Sequence, residues 1–256
     1  VGSAADIDVK EMKMQPTAVV VGVGSEEGLG AAVARRFAKG GFHVIVGGRT
    51  AKKIEQVASS LGDSNGTPVQ VDATKEEDVL HLFHAASTPG TGRSPASVVI
   101  FNAGNNQHIP FRELSGAQFE DFWRIGCFAG FLVGREAVNL LLPQGAGTII
   151  FTGASASLRG RPGFAHFSAA KAGLRMLSQS MAREFGPQGL HVAHVVIDGG
   201  INGTRLKALR PEIVDERGTD GLLNIDAIAE TYWQLHLQHP TAWTHEIDLR
   251  PFKESF

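Results

Sequence analysis

The chain holds one cysteine, Cys127, and one tyrosine, Tyr232, among its 256 residues. A lone cysteine cannot close an internal disulfide or build a multi-cysteine metal site, so neither is expected and no metal is assigned. Cysteine poverty of this kind fits a reducing compartment. Net charge is also scarce: 24 Lys+Arg against 26 Asp+Glu leave −2, which gives no footprint for nucleic acid or an anionic membrane surface. No apolar run approaches the length of a membrane span. Residues 1–15, VGSAADIDVKEMKMQ, lack the apolar core of a signal peptide and read as a flexible arm. The expectation is a soluble, cytoplasmic single domain over 16–256, long enough to bury a full core.

What is present begins with TAVVVGVGSEEGLGAAVARRF, residues 17–37. Ala18 to Val21 form the β-branched run of a strand buried on both faces. Gly24, Gly28 and Gly30 follow, around Ser25, Glu27 and Leu29. Then Leu29, Val33 and Phe37 recur at helical spacing. Glycines let the backbone turn tightly and let a ligand approach where a Cβ would clash. The helix that starts there offers unpaired N–H groups and a positive dipole end to an anion. Strand, glycine turn and helix in that order point to phosphate binding, against the plainer reading of an ordinary tight turn.

Downstream, strands are predicted at His43–Gly47, Pro68–Asp72, Val98–Phe101, Thr148–Thr152, Val192–Ile197 and Trp243–Leu249. Helices are predicted at Ala51–Leu61, Glu76–Ala86 (with Val79, Leu80 and Phe83 inward), Ser115–Leu142, Gly163–Phe185 and Ile225–Gln238. Thr88–Pro95 reads as a surface loop. This alternation implies right-handed βαβ units: an α/β fold with a doubly wound parallel sheet in three α/β/α layers. Ligands then gather at the carboxyl ends of the strands. Phe119, Phe122, Trp123, Phe128, Phe131 and Leu132 populate more than one face of the first long helix. Two apolar faces call for two partners, which predicts a homodimer or homotetramer through helices 115–142 and 163–185.

These residues resemble the short-chain dehydrogenase/reductase family from Pro16 to the C-terminus. Gly24, Gly28 and Gly30 match its glycine motif, with Val23 where threonine is usual, and Asn102-Ala103-Gly104 matches its Asn-Ala-Gly motif. Asp72, followed by Ala73, stands where the family places an aspartate against the adenine. Asp198-Gly199 replaces the usual Pro-Gly before Ile201 and Thr204, near the segment that holds the nicotinamide amide. The resemblance implies a Rossmann fold that binds NAD(P)(H) and acts on a small-molecule substrate. It also implies that the segment after the sixth strand, 204–224, is a lid that selects the substrate. Leucines in that segment could line a pocket and its cations could receive an acidic group.

Catalysis in the family rests on Tyr-x-x-x-Lys with a serine ahead of it. Lys171 is present, and by resemblance it hydrogen bonds to the nicotinamide ribose. Four residues earlier stands Phe167. Alignment through Leu158-Arg159-Gly160 and Pro162-Gly163 puts Ala154 in the serine position, with Ser155 and Ser157 close by, and Cys127 where an asparagine supports a proton relay. A phenyl ring cannot move a proton, and losing general acid–base help costs about 3–5 kcal/mol of barrier. His108, Asp198 and His166 are the remaining proton candidates. For each, a plainer reading stands beside the functional one: solvated loop histidine, loop cap, and interface or surface residue.

After the second strand, Gly48-Arg49 stands where a carboxylate would grip a ribose 2′-hydroxyl. A guanidinium there suits a 2′-phosphate and favours NADP(H) over NAD(H), unless Glu26 and Glu27 face the same pocket. Three functions remain open: an oxidoreductase of unusual mechanism, a dinucleotide-binding sensor or partner subunit without turnover, and lyase or isomerase chemistry on the same scaffold.

Overall fold

A computed structural model describes residues 14–254; the proposed arm lies outside the described residues up to residue 13. Gln15 is already part of β1 (Gln15–Val21), its side chain donating to Asn65 Oδ1 at 3.1 Å. The chain then alternates through α1 (Leu29–Lys39), β2 (His43–Gly48), α2 (Ala51–Ser60), β3 (Gly66–Gln70), α3 (Glu76–Ser87) and β4 (Arg93–Phe101). The second half runs α4 (Gly116–Trp123), α5 (Ala129–Leu141), β5 (Gly147–Thr152), α6 (Ala165–Phe185) and β6 (Leu190–Ile197). It closes with α7 (Thr204–Leu209), α8 (Pro211–Arg217), α9 (Ile225–His236) and β7 (Glu246–Leu249).

Among the described residues the seven strands are all parallel, in the order β3-β2-β1-β4-β5-β6-β7. Strand order reverses between β1 and β4, so a crevice opens beyond their carboxyl ends. Strand periodicity divides the core. Ala18 and Val20 face a layer of α1, α2 and α9, whereas Val19 and Val21 face α3, α5 and α6.

Local differences from the sequence reading have physical causes. β4 starts at Arg93, inside the expected loop, because Gln15 pairs with Arg93 and extends the ladder. Leu82 is buried and Leu80 half exposed, since 79, 82, 83 and 86 are the positions that share a helical face. The segment 204–224 holds two short helices, α7 and α8. Between α4 and α5 the long helix carries a π-turn at Arg124–Phe128. The stretch Gly116–Gln144 is long and apolar enough to cross a membrane, contrary to the reading of apolar runs alone, but α5 packs into the core with Leu132, Val133 and Leu141 buried. Phe119, Trp123 and Phe131 on the same stretch stay exposed, so the two apolar faces are real.

Candidate active site

The turn leaving β1 and the turn leaving β4 are built against each other. Gly22 adopts φ +91°, and a Cβ there would stand 2.4 Å from the Ala103 nitrogen. Asn102 Nδ2 donates to Gly22 O at 3.2 Å. Gly30 sits against Gly22 O and the Asn102 amide, which sets α1 close behind the turn. Gly24 differs: nothing lies within 4 Å of where its Cβ would be, so its face is open. Gly28 is the N-cap of α1, with its N–H on Ser25 O at 2.9 Å. No side chain caps this helix and no acidic residue lies in its first turn. Unsatisfied N–H groups beneath an open glycine face fit an anion such as a diphosphate. Leu29 is buried and anchors the first turn, while Glu27 points to Lys207 at 3.7 Å.

Beyond β2, a cleft of about 380 Å³ is lined by Arg49, Gln70, Asp72, Lys75 and Asp78. Neither Glu26 nor Glu27 lines it. Asp72 Oδ1 accepts from Thr74 N at 3.1 Å and Thr74 Oγ1 at 2.8 Å, and Asp78 Oδ2 accepts from Asp72 N at 2.8 Å. Burial pushes the Asp72 carboxyl up, but the Thr74 hydrogen bonds and the nearby charges of Arg49 and Lys75 outweigh it and lower its pKa. Ala73 is buried beside it. Two cations, Arg49 and Lys75, thus face one cleft at the carboxyl edge of the sheet with two carboxylates, Asp72 and Asp78, each of which already accepts a hydrogen bond from the protein.

At the far side of the crevice stands Lys171, buried in α6. Its Nζ donates to Thr152 O at 2.8 Å and lies against Gly104, where a Cβ would be 3.4 Å from it. Burial lowers its pKa to about 8, partly offset by Cys127. Phe167 is half-buried one turn earlier on the same face. Ala154 is half-buried and extended; its carbonyl takes both the Ser157 hydroxyl, at 2.7 Å, and the Ser157 amide. The Ser155 hydroxyl bonds to Asp198. Both serine hydroxyls near Ala154 are therefore already committed.

Cys127 lies in the π-turn, its sulfur over Gly173, where a Cβ would be 2.7 Å away. Burial raises its pKa despite the charge of Lys171, which argues against thiolate chemistry. His108 is exposed, its ring edge-on to Phe164 at 5.5 Å and fitted over Gly163. His166 is fully buried against Phe122, with Nε2 on Gln107 O at 3.1 Å, which corrects the interface or surface reading. Asp198 is withdrawn from solvent. Burial raises its pKa, but hydrogen bonds from Arg159 and Ser155 and the charges of Arg159 and Arg250 win and lower it. Arg159 Nη2 and Arg250 Nη2 reach this carboxylate at 2.8 and 2.6 Å, so it is a structural clasp between three segments.

Gly199 turns at φ +154° against Pro251, Ile201 bridges to Leu223, and Thr204 N donates to Glu27 O at 3.3 Å. The start of the segment 204–224 therefore rests on the glycine turn. Asn202 Oδ1 is buried with no hydrogen-bond partner, an acceptor the sequence reading passed over. Among the cations of segment 204–224, Arg205 alone crosses to Asn105 and Asn106. No sequence signal marks that contact, which spans about a hundred positions.

The reversed strand order and the glycine turn define a doubly wound α/β protein of the dinucleotide-binding type. The chain belongs to the short-chain dehydrogenase family, whose model, described as short chain dehydrogenase, matches residues 17–212. It is 31% identical over 188 residues to the uncharacterized oxidoreductase YuxG of Bacillus subtilis (strain 168), covering 72% of this chain and 27% of that protein. It is 25% identical over 193 residues to the NADPH-dependent 1-acyldihydroxyacetone phosphate reductase of Saccharomyces cerevisiae, covering 75% of this chain and 64% of that one. Both relatives are matched over less than two thirds of their length. A short-chain dehydrogenase structure from Rhodopseudomonas palustris superposes with a TM-score of 0.76 at 37% identity, covering 93% of this chain and 99% of that one.

Proposed function

We propose that the chain is an NADP(H)-dependent oxidoreductase that works without the family's tyrosine proton donor. The observation that carries this reading is the uncapped start of α1 beneath the open face of Gly24, with Lys171 across the same crevice. Backbone groups of Gly24, Ser25, Glu27, Gly28, Leu29 and Gly30 would hold the diphosphate. Arg49 and Lys75 would take the 2′-phosphate, with Asp72 and Ala73 at the adenine. The Asn102–Gly104 turn, Lys171 and the 198–204 segment (Gly199, Ile201 and Thr204) would hold the nicotinamide half. Asp198 would act through its clasp. The NADPH dependence of the yeast relative supports this choice of nucleotide.

When bound, the nucleotide supplies or accepts hydride. This chain's residues position it and exclude water. At the reacting atom Phe167 and Ala154 present carbon only, so the proton comes from water, from the substrate or from the loop at His108. Polarised C=C or C=N bonds demand less help at oxygen than ketones do. Fixed positioning by Lys171 and the glycine turn remains available for all of these.

A second reading, a dinucleotide-binding sensor or partner subunit without turnover, is favoured by the committed hydroxyls of Ser155 and Ser157. Substrate-dependent loss of NADPH absorbance across a panel of carbonyl, enone and imine compounds separates the two. Turnover of any class supports the enzyme, and binding with no turnover supports the sensor. The exposed Phe119, Trp123 and Phe131, with Met176 on α6, support a homo-oligomer through these helices. A reducing, cytoplasmic setting suits the single thiol.

A further inference from the structure

Four cations lie in the lid segment 204–224, and three of them meet a carboxylate. Lys207 pairs with Glu27 at 3.7 Å, Arg210 with Glu212, and Arg217 with Glu254 at 3.1 Å. Arg205 does not. Its Nη2 donates to two neutral oxygens, Asn105 Oδ1 at 2.5 Å and Asn106 O at 2.7 Å, and among the described residues it has no acidic partner. Although the residue as a whole is exposed, its guanidinium is partly withdrawn from water, which lowers its pKa.

The position of this cation matters more than its charge alone. Asn105 and Asn106 directly follow Gly104, the residue against the Lys171 ammonium. The same loop is pinned on its other side, where Ile109 N donates to Gly163 O at 2.9 Å and His166 Nε2 meets Gln107 O. Arg205 is thus a strap from the lid onto the rim of the Lys171 crevice, held by bonds weaker than a guanidinium can make. A carboxylate or phosphate offers two parallel bonds between full opposite charges, where the Asn105 and Asn106 oxygens carry only partial charge.

We propose that Arg205 receives an anionic group of the substrate, so that the compound turned over is a carboxylic acid or phosphate ester carrying its reducible bond some atoms away. The anion replaces Asn105 and Asn106 on the guanidinium and holds the lid down over the crevice. This inference rests on the dinucleotide-dependent reading above. A cofactor diphosphate carries the same chemistry, so the test must separate the two sources.

The probes are the acid and methyl-ester pairs of 4-oxopentanoic, 7-oxooctanoic and 4-acetylbenzoic acid. They are titrated calorimetrically into NADPH-saturated wild-type protein and Arg205→Gln. At least one acid is expected to bind wild type about tenfold or more tighter than its ester, with the difference gone in Arg205→Gln and partly kept in Arg205→Lys. NADPH affinity should change by less than about twofold, because Arg205 bonds to the rim loop and not to the glycine turn. Equal binding of acid and ester, or binding of neither, with NADPH affinity intact overturns the anion site and leaves the dinucleotide reading standing. A loss of NADPH affinity in Arg205→Gln with no acid preference assigns the residue to the cofactor and also overturns it. Wild-type protein that binds no NADPH overturns both together.

Discussion

The hydroxyl of Tyr232, the only tyrosine in the chain, lies 2.8 Å from Oγ1 of Thr152. Thr152 Oγ1 also donates to Asn102 Oδ1 at 3.1 Å, and its carbonyl accepts from Lys171. The chain's one phenol is therefore two bonds from the Lys171 ammonium yet lies on the other face of the sheet, in α9, fully buried. Burial raises its pKa beyond the ordinary phenol value. It braces the ends of β4 and β5, and it cannot exchange a proton with anything in the crevice.

Lys171 leaves a signature in the pH dependence of stability. Its pKa falls from 10.5 to about 8 on burial, so between those values the unfolded chain binds the proton that the native state has lost. Stability from this group is fully present above pH 10.5 and is lost as pH falls to about 8, a difference of about 3 kcal/mol. Urea unfolding at pH 8 and pH 10 should show wild type gaining stability relative to Lys171→Met. Parallel profiles would mean the ammonium is solvated.

Two glycines only two residues apart should fail in different ways. Gly22→Ala forces φ +91° on a residue whose Cβ meets the Ala103 backbone, and should destabilise by roughly 2–4 kcal/mol. Gly24→Ala meets open space, so its melting temperature should stay within a degree or two of wild type while NADPH affinity falls by about tenfold or more. Normal nucleotide binding by Gly24→Ala would remove the diphosphate from this turn.

Restoring the missing hydroxyls should restore chemistry. Phe167→Tyr with Ala154→Ser places a phenol one helical turn before Lys171 and should create or raise carbonyl reductase activity by about 10²–10⁴-fold. A folded, NADPH-binding double variant with no gain would show that the reacting bond lies elsewhere.

Acid should cost the fold stability at His194. This histidine is fully buried, Nδ1 on Glu246 Oε2 at 2.9 Å, and Glu246 is also held by Arg175 at 2.7 Å. Burial lowers its pKa to about 4 in spite of Glu246, so its stabilising effect is complete above pH 6.5 and is lost as pH falls towards 4. That window is worth about 3 kcal/mol. His194→Gln should flatten the acid limb of a stability profile measured by urea unfolding between pH 7 and 4.5, and an unchanged limb would assign it to other groups.

Much of the architecture is legible in the residues because it is local. Ala18–Val21 announces a doubly buried strand, and the glycines after it announce a turn into a helix. Lys171 and Phe167 declare their shared face by spacing alone. What is not legible comes from long-range packing. Nothing near Tyr232 in sequence says that its hydroxyl reaches Thr152 through the sheet, 80 positions away. Nothing near Asp198 says that two arginines will claim it. The π-turn at Arg124–Phe128 has no residue signature, because an i→i+5 bond is chosen by what packs against the helix. His166 looks like a surface residue until Phe122 covers it.

The most direct test of the central claim is calorimetric titration of wild-type protein and Arg49→Ala with NADPH and with NADH. Wild type should bind NADPH about tenfold or more tighter than NADH, and Arg49→Ala should erase most of that preference while still binding NADH. Well-folded wild-type protein with no measurable affinity for either nucleotide would contradict the account at its root.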